Sequence, residues 1–284
     1  MRRGPIREVL HRFRKHPLAI IGLAVLFVEV LLVLLAPYIA PYDPMEQHLN
    51  EKLLSPSRQH IMGVDNLGRD VYSRILYGGR NTLGGAFVAL FILVTIGVAI
   101  GGIAGYVGGI LDVILMRITD SMLSFPYLVL ALGLAAALSP DLFSVVLAVS
   151  LTWWGHFARV MRGMVLSIRE NTYIESARAI GVKESRIFIH HVLPNVVSPI
   201  LVLSALDLGL VILAIASLSY LGLGIQPPAP EWGMMLNEAR LYMFLTPHLM
   251  VFPGVMIFVT VLSANLFGDG LRDALDPRWQ NRQI

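Results

Sequence analysis

Carboxylates inside long apolar stretches are the first places in this sequence where chemistry could occur. Glu29 lies within the apolar run 18–36, and Asp207 lies within the run from about 196 to 221. A charge at that depth in a membrane is costly unless it faces water, a partner or a proton. We therefore predict that Asp207 lines a solute pathway, with a buried structural pair as the alternative. Glu29 is the second pathway candidate, although a structural contact inside a helix bundle is favoured over a proton relay.

Metal-binding side chains are present but poorly arranged for a site. His190 and His191 are adjacent, and neighbouring residues on a helix point about 100 degrees apart, so they cannot readily chelate one ion. Four methionines near His248 could suggest a soft-metal site, but flexible core filling is the favoured role; they are Met234, Met235, Met243 and Met250. We predict no metal site.

Catalytic motifs are missing from the sequence. There is no Walker A segment, no His-Glu-x-x-His and no Gly-x-Ser-x-Gly. The segment 63–68 looks superficially like a phosphate loop, but no strand precedes it and no Gly-Lys-Ser/Thr follows. Polar residues in the apolar runs, Asn265 included, are too sparse to nominate a reaction. We predict no catalytic residue, no cofactor bound by this chain, and an energy source in another subunit.

The composition indicates an integral membrane protein. Of 284 residues, 56% are hydrophobic and 14% are charged, which is outside the soluble globular class. The chain has no cysteine, so disulfides and thiol ligands are excluded. A net charge of +3 is modest, and the basic residues fit positions relative to a lipid bilayer better than a nucleic-acid footprint. No nucleic-acid partner is predicted.

An all-α protein with six transmembrane helices follows from the apolar runs. The spans are predicted at 18–36 and at about 83–106, 123–138, 142–160, 196–221 and 249–267. Residues 1–17 are basic and should stay cytoplasmic. Residues 37–82 should form an external loop with short helices, residues 83–268 a five-helix core, and residues 269–284 a cytoplasmic tail, so both termini face the cytoplasm.

Smaller patterns predict how these helices are positioned. Glycines at four-residue steps predict a close helix contact in the second span; they are Gly97, Gly101, Gly105 and Gly109. Asp112, Arg117 and Asp120 mark a turn, in which Arg117 is expected to pair with Asp120. Pro126 should kink or begin the third span. Trp153 and Trp154 are interpreted as packing or interface anchors rather than a ligand cage.

Residues 170–195 are too polar for a span and too regular for a loop. Apolar residues at three- and four-residue steps predict one face of an amphipathic helix; they are Tyr173, Ile174, Ala177 and Ile180. Gly181 should end this helix in a left-handed conformation. A second helix is predicted to restart at 183–188 and to end at Pro194. Such a hairpin suits docking in another protein's groove, and an ordinary amphipathic surface helix is the alternative.

These residues resemble the "EAA" loop of the permease subunits of ATP-binding-cassette (ABC) importers. The family pattern is E-A-A, three residues, G, nine residues, I-x-L-P, and the chain has Ser176 for an alanine and His191 for the isoleucine. In that family the loop is a coupling helix that sits in a cleft of the ATPase subunit. The resemblance implies that the docking residues are Glu175, Ser176, Ala177, Gly181, Lys183, His191, Leu193 and Pro194.

Further signatures resemble the second permease of dipeptide, oligopeptide and nickel importers. Residues 60–74 are similar to H-x-x-G-T-D-x-x-G-R-D-x-x-S-R, with Val64 in place of threonine. Residues 116–126, 218–224, 226–233 and 268–278 are similar to that group's M-R-x-x-D-x-x-x-x-F-P, L-S-F-L-G-L-G, Q-P-P-x-P-E-W-G and C-terminal patterns. The resemblance thus covers nearly the whole chain beyond the first span.

The resemblance implies a type I ABC importer permease in a bacterial or archaeal cytoplasmic membrane. It implies pairing with a homologous permease, two ABC ATPase subunits that bind ATP and Mg, and an extracytoplasmic solute-binding protein. The external partner is expected near Glu231, Trp232, Gly233 and Arg240. Di- or oligopeptides are the expected cargo, and nickel or a metal chelate is the alternative. A secondary transporter is the other-class alternative, but no repeated pair of broken helices supports it.

Overall fold

The computed structural model describes residues 11–275, which form helices joined by loops. The helices of eight or more residues are α1 (Pro17–Leu34), α2 (Val71–Val107), α3 (Gly109–Leu123), α4 (Tyr127–Ala137), α5 (Leu142–Arg169), α6 (Thr172–Ala179), α7 (Glu184–Tyr220), α8 (Trp232–Ala239) and α9 (His248–Leu275). Among the described residues the only β-type pairing is one bridge between Val64 and Asp70. The first basic residues and the end of the tail, residues 1–10 and 276–284, lie outside the described part, so their cytoplasmic placement stays a prediction.

Within residues 11–275, four helices are long and apolar enough to cross a membrane, namely α1, α2, α7 and α9. Helices α3 and α4 meet at an angle of 87° and make a fifth crossing if they count as one broken span. Helix α5 has 28 residues, about 42 Å of helix at 1.5 Å per residue, but more polar residues. The all-α membrane architecture is confirmed, whereas the count of six spans stays a prediction.

The predicted third span is not one straight helix. Its expected range, 123–138, contains the break between α3 and α4 at 124–126. Ser124 closes α3, and Pro126 precedes the first turn of α4, where a missing amide hydrogen costs nothing. The expected polar turn is helical, because Asp112, Arg117 and Asp120 all lie in α3.

The predicted pair between Arg117 and Asp120 is wrong. Asp120 instead accepts a hydrogen bond from Arg159 of α5 at 2.7 Å, and Asp112 pairs with Arg162 of the same helix at 2.7 Å. Helix α5 packs along α3, so its arginines lie closer to these carboxylates than a neighbour on the same helix does. Two ion pairs therefore join α3 to α5.

Two helices extend beyond their predicted spans. Helix α2 begins at Val71, within the predicted external loop, because the Asp70 side chain accepts the Ser73 amide at 2.8 Å and caps the first turn. Helix α9 continues to Leu275, into the predicted tail.

The second helix of the hairpin was predicted to end at Pro194, but it continues past this residue. It passes through a π-helical turn, Phe188–Val192, and continues without a break to Tyr220. In this turn the Leu193 amide bonds to the Phe188 carbonyl, five residues back. Pro194 has no amide hydrogen to donate to the helix. The helix tolerates it because the wider turn shifts the hydrogen-bond register just before this residue.

Three of the four spaced glycines form the predicted helix contact. Gly97, Gly101 and Gly105 face α5, where a Cβ on Gly101 would lie 2.2 Å from the Ala158 carbonyl oxygen. Gly109 does not belong to this face, because α2 has already ended at Val107 and open space surrounds it. The glycines thus allow a close backbone approach between α2 and α5, which positions the end of α5 that leads into the hairpin.

We expect Gly101→Ala to destabilise this contact by about 1–3 kcal/mol, the usual cost of overpacking. Thermal unfolding of the purified protein in detergent measures the effect. Gly84→Ala on the same helix is the control, because a Cβ there meets nothing within 4 Å. If both variants unfold together, the close approach does not limit stability.

Candidate functional site: an exposed hairpin, an acidic cavity and an external ion cluster

The hairpin turn forms as the sequence predicts. Gly181 has a φ of +81°, and its amide bonds to the Arg178 carbonyl at 2.9 Å. The Val182 amide bonds to the Ala177 carbonyl at 3.1 Å. Together these two bonds make a Schellman motif, in which a glycine just past the helix takes the left-handed conformation. The angle between α6 and α7 is therefore set by hydrogen bonds inside the turn.

Polar contacts fix the hairpin to the rest of the bundle. Arg178 of α6 pairs with Glu184 of α7 at 2.7 Å, and the Tyr106 hydroxyl donates to the Glu184 carboxylate. Arg169, at the end of α5, donates to the Tyr106 carbonyl at 2.9 Å. With Val107, these residues line a cavity of about 400 Å³. The hairpin is thus bonded to the ends of α2 and α5.

The predicted docking residues lie together on this hairpin and at the start of α7. Glu175, Ser176, Gly181, Lys183 and Pro194 are exposed, and Ala177, His191 and Leu193 are half-buried.

Only part of the predicted apolar face of α6 is buried against the bundle. Ile174 is fully buried, but Ile180 is 81% exposed and Tyr173 is 47% exposed. The helix is too short for all four apolar residues to reach the bundle. Apolar side chains therefore surround the exposed turn.

Asp207 lines a cavity of about 420 Å³ between α7, α5 and the break in the α3–α4 span. The other lining residues are Leu123, Phe125, Pro126, Tyr127, Thr152, Trp153, His156 and Leu210. The Asp207 side chain is buried, and its Oδ2 has no hydrogen-bond partner among the described residues. The sequence analysis missed the contribution of Trp153, which it assigned to packing, and of His156. Their spacing of three on α5, which places both on one face, was the available signal.

Glu29 is buried elsewhere. It lies in α1 beside Thr260 of α9, and neither carboxylate oxygen has a hydrogen-bond partner among the described residues. Glu29 does not line the Asp207 cavity, so the two predicted pathway residues do not form one site.

The signature at 60–74 builds a buried ion cluster that sequence reasoning did not foresee. Arg69 pairs with Asp65 at 2.6 Å and with Glu238 of α8 at 2.8 Å. Arg74 pairs with the other oxygen of Glu238 at 2.8 Å, and both arginine side chains are fully buried. The cluster fastens the loop before α2 to α8, from segments more than 160 residues apart.

Three of the four residues predicted to face an external partner are buried instead. Glu231 accepts hydrogen bonds from the Thr82 hydroxyl and the Met234 amide, both at 2.8 Å. The Trp232 indole donates to the Ile75 carbonyl at 2.9 Å, and Gly233 packs against the backbone of α7. Burial raises the pKa of Glu231, and its hydrogen bonds act in the opposite direction. Residues 231–233 were predicted to face a partner, but they form the start of α8 and hold it against α2 through these hydrogen bonds.

Other residues from the same region remain outside the core. Arg240 is exposed, and just after it Leu241, Phe244 and Leu245 are 81%, 94% and 73% exposed. Among the four methionines, Met234 and Met235 are buried and Met250 packs against the core, as core filling predicts, whereas the prediction is wrong for Met243, which is exposed.

Comparison with known protein families gives two matches, one over most of the chain and one near its start. Residues 97–281 match the family described as binding-protein-dependent transport system inner membrane component. Residues 4–56 match the N-terminal transmembrane domain of oligopeptide transport permease C.

Individual relatives agree with these matches. The chain is 45% identical over 281 residues to a glutathione transport system permease protein, GsiD, of Pectobacterium atrosepticum, covering 97% of this chain and 92% of that protein. The GsiD protein of an Escherichia coli strain is 44% identical over 277 residues, with 97% and 91% covered. Among solved structures, the MetNI methionine ABC transporter in an inward-facing conformation aligns with a TM-score of 0.58 at 19% identity, covering 71% of this chain and 96% of that one. At that identity the likeness concerns the fold.

Proposed function

Because the chain belongs to the family of binding-protein-dependent transport system inner membrane components, we propose that it forms, with a homologous permease, the path of an ATP-driven importer of peptide-like solutes. Members of this family are membrane subunits, and ATP hydrolysis resides in separate subunits. The proposal places two ABC ATPases, with their ATP and Mg, on the cytoplasmic side and a solute-binding protein on the outer side.

The exposed hairpin is the observation that carries this proposal. Ile180 and Tyr173 are apolar and largely exposed beside the charged residues Glu175 and Lys183. Exposed apolar side chains rimmed by polar ones are typical of a protein interface. In the proposed mechanism ATP closes the ATPase pair, α6 moves with its cleft, and the contacts of Glu184 and Tyr106 pass that movement to α7 and α2; hydrolysis reverses it.

Cross-linking tests the docking directly, because the chain has no native cysteine. We expect Ser176→Cys, at an exposed position of α6, to cross-link to a cysteine placed in the ATPase cleft. Asn50→Cys, exposed on the predicted external loop, is the matched control and should give no ATPase adduct. Failure at Ser176 and at every other exposed hairpin position would contradict docking through this hairpin.

The proposed external docking surface moves from 231–233 to the exposed segment that starts at Arg240. Arg240, Leu241, Phe244 and Leu245 are exposed next to α8, whereas the preceding residues hold α8 in place. A solute-binding protein can therefore reach the exposed segment that starts at Arg240 without unfolding the buried residues 231–233. In this orientation residues 37–70 are external and the hairpin is cytoplasmic.

The cargo is proposed from the relatives and tested by uptake. Relatives at 44–45% identity are named as glutathione transport permeases, and glutathione is a small peptide, so we propose di- or oligopeptides as the class. Uptake of a labelled tripeptide and of nickel, measured with the partner subunits reconstituted in vesicles, distinguishes peptide from metal import. Uptake that persists without ATPase subunits would instead support a secondary transporter.

A further inference from the structure

The Asp207 carboxylate lacks a neutralising partner within the described part of the chain. Its side chain is 7% exposed, and its Oδ2 makes no hydrogen bond. His156 and Trp153 interact with it, but no described lysine, arginine or histidine forms an ion pair with it. A buried carboxylate is strongly unfavourable unless it is paired or protonated. A cation bound in the cavity would supply the pair that Asp207 lacks among the described residues.

The walls of the cavity favour the same kind of ligand. The rings of Tyr127 and Trp153 have centroids 4.0 Å apart and are tilted by 59°, and Phe125 also lines the space. Aromatic faces attract cations that approach within about 6 Å of the ring centre. The carboxylate and the aromatic rings around this cavity thus both favour a bound cation.

The donor set distinguishes between kinds of cation. Metal sites use several oxygen, nitrogen or sulfur ligands in defined geometry, whereas this cavity offers Asp207 and His156 among mostly apolar and aromatic residues. No cluster of three or more His, Cys, Asp or Glu suited to a metal occurs among residues 11–275. A volume of about 420 Å³ also exceeds what a bare ion fills and is in the range of small-molecule sites. An organic ammonium group fits this chemistry.

We propose that the Asp207 cavity binds the protonated amino terminus of a peptide during its passage, with Asp207 as the counter-ion and Trp153 and Tyr127 as the aromatic wall. This inference rests on the proposed import of peptides and names the part of the peptide that the permease itself recognises. The break between α3 and α4 forms one side of this cavity, because Leu123, Phe125 and Pro126 line it opposite Asp207 of α7. Binding at broken helices within the membrane is an established way to hold a solute on its path.

Ligand-detected NMR titration tests the proposal on the intact permease–ATPase complex in nanodiscs, without the solute-binding protein. The probes are trialanine and N-acetyl-trialanine, which differ in the charge of the amino terminus. We expect the wild-type complex to bind trialanine about 10- to 100-fold more tightly, as for a hydrogen bond between charged groups. Asp207→Asn should remove this preference by weakening trialanine alone, and Asp207→Glu should keep it.

Asp112→Asn is the matched control. Asp112 is a half-buried carboxylate on the same broken span, but Arg162 already neutralises it and it does not line the cavity. This variant should keep the wild-type preference. Trp153→Leu should weaken trialanine more than the acetylated peptide, because it removes one aromatic face.

Several outcomes would overturn the proposal. Equal affinities in the wild type, or a preference that persists in Asp207→Asn, would exclude an ammonium site at Asp207. Nickel binding that depends on Asp207 would identify a metal instead. Loss of the homologous permease from the purified Asp207→Asn complex would show that a partner side chain supplies the cation. If the complex imports peptides but shows no amino-terminal preference, the proposed function stands and only this inference fails; absence of ATP-driven peptide uptake would reject the function itself.

Discussion

Replacing Glu238 by glutamine is expected to lower the free energy of unfolding by about 3–5 kcal/mol, the usual cost of breaking a buried ion pair by removing one partner. The Glu238 carboxylate accepts from Arg69 through one oxygen and from Arg74 through the other. An amide keeps one acceptor oxygen and loses the charge. Two fully buried guanidinium groups would then share the single carboxylate of Asp65.

We expect Glu238→Gln to loosen one part of the structure before the whole protein unfolds. The segment 37–70 and the first turn of α2 would be held less firmly to α8, since Arg69 and Arg74 both pair with Glu238 of that helix. Thermal unfolding in detergent measures the loss of stability, and limited proteolysis measures exposure of this segment. Glu46→Gln is the matched control, because Glu46 is exposed in the same segment and the one ion pair of its side chain among the described residues is with His48, at 3.5 Å; a surface pair of this kind contributes about 0–1 kcal/mol.

A double variant separates charge from shape. In Arg69→Met with Glu238→Gln, Arg74 and Asp65 remain as a pair at 3.4 Å, so the cluster has no unmatched charge. We expect the double variant to be more stable than the sum of the two single changes predicts, which is the signature of direct coupling. Strict additivity, or a Glu238→Gln protein that unfolds like the wild type, would contradict the role of the cluster as a fastening.

The contrast between this cluster and the hairpin shows what a single sequence can predict. The turn at Gly181 depends on bonds within six residues, from Ala177 to Val182, so spacing and residue type were enough to predict it. The pair Arg74–Glu238 joins positions 164 residues apart, and no local pattern indicates which segments will meet. Charges in the 60–74 signature were visible, but their partner was not.

The incorrect predictions concern contacts between residues that are distant in the sequence. Arg117 was matched with Asp120 because only helix neighbours can be compared in a sequence, whereas the true partner, Arg159, comes from another helix. Glu231 and Trp232 were placed on a surface because a motif identifies residues without identifying their environment. Pro126 was predicted to kink or begin the span, but the angle of 87° between α3 and α4 depends on how the two helices pack.

Substituting Gly181 by aspartate is the second change with a large expected effect, and it should separate ATP hydrolysis from uptake. A side chain in the left-handed conformation costs about 1–2 kcal/mol, which lowers the equilibrium constant for the observed turn, with φ of +81°, by about 5- to 30-fold. Space is not the cause, because a Cβ at Gly181 would meet nothing within 4 Å. We therefore expect normal membrane insertion, retained ATPase activity in the assembled complex, and peptide uptake reduced by up to that factor.

Gly163→Asp provides the matched control for this prediction. Gly163 lies in α5, is exposed, also has open space around its Cβ position, and has no left-handed φ. The added charge is therefore the same, whereas the backbone cost is confined to Gly181. If both variants reduce uptake equally, added charge near the ATPase is responsible, and if Gly181→Asp transports at the wild-type rate, the angle of the turn does not transmit the work of ATP. Reduced uptake in Gly181→Asp alone, with ATP hydrolysis retained, would identify the hairpin as the element that converts closure of the ATPases into movement of α7, because Glu184 and Tyr106 can act on the bundle only while the turn holds α6 in place.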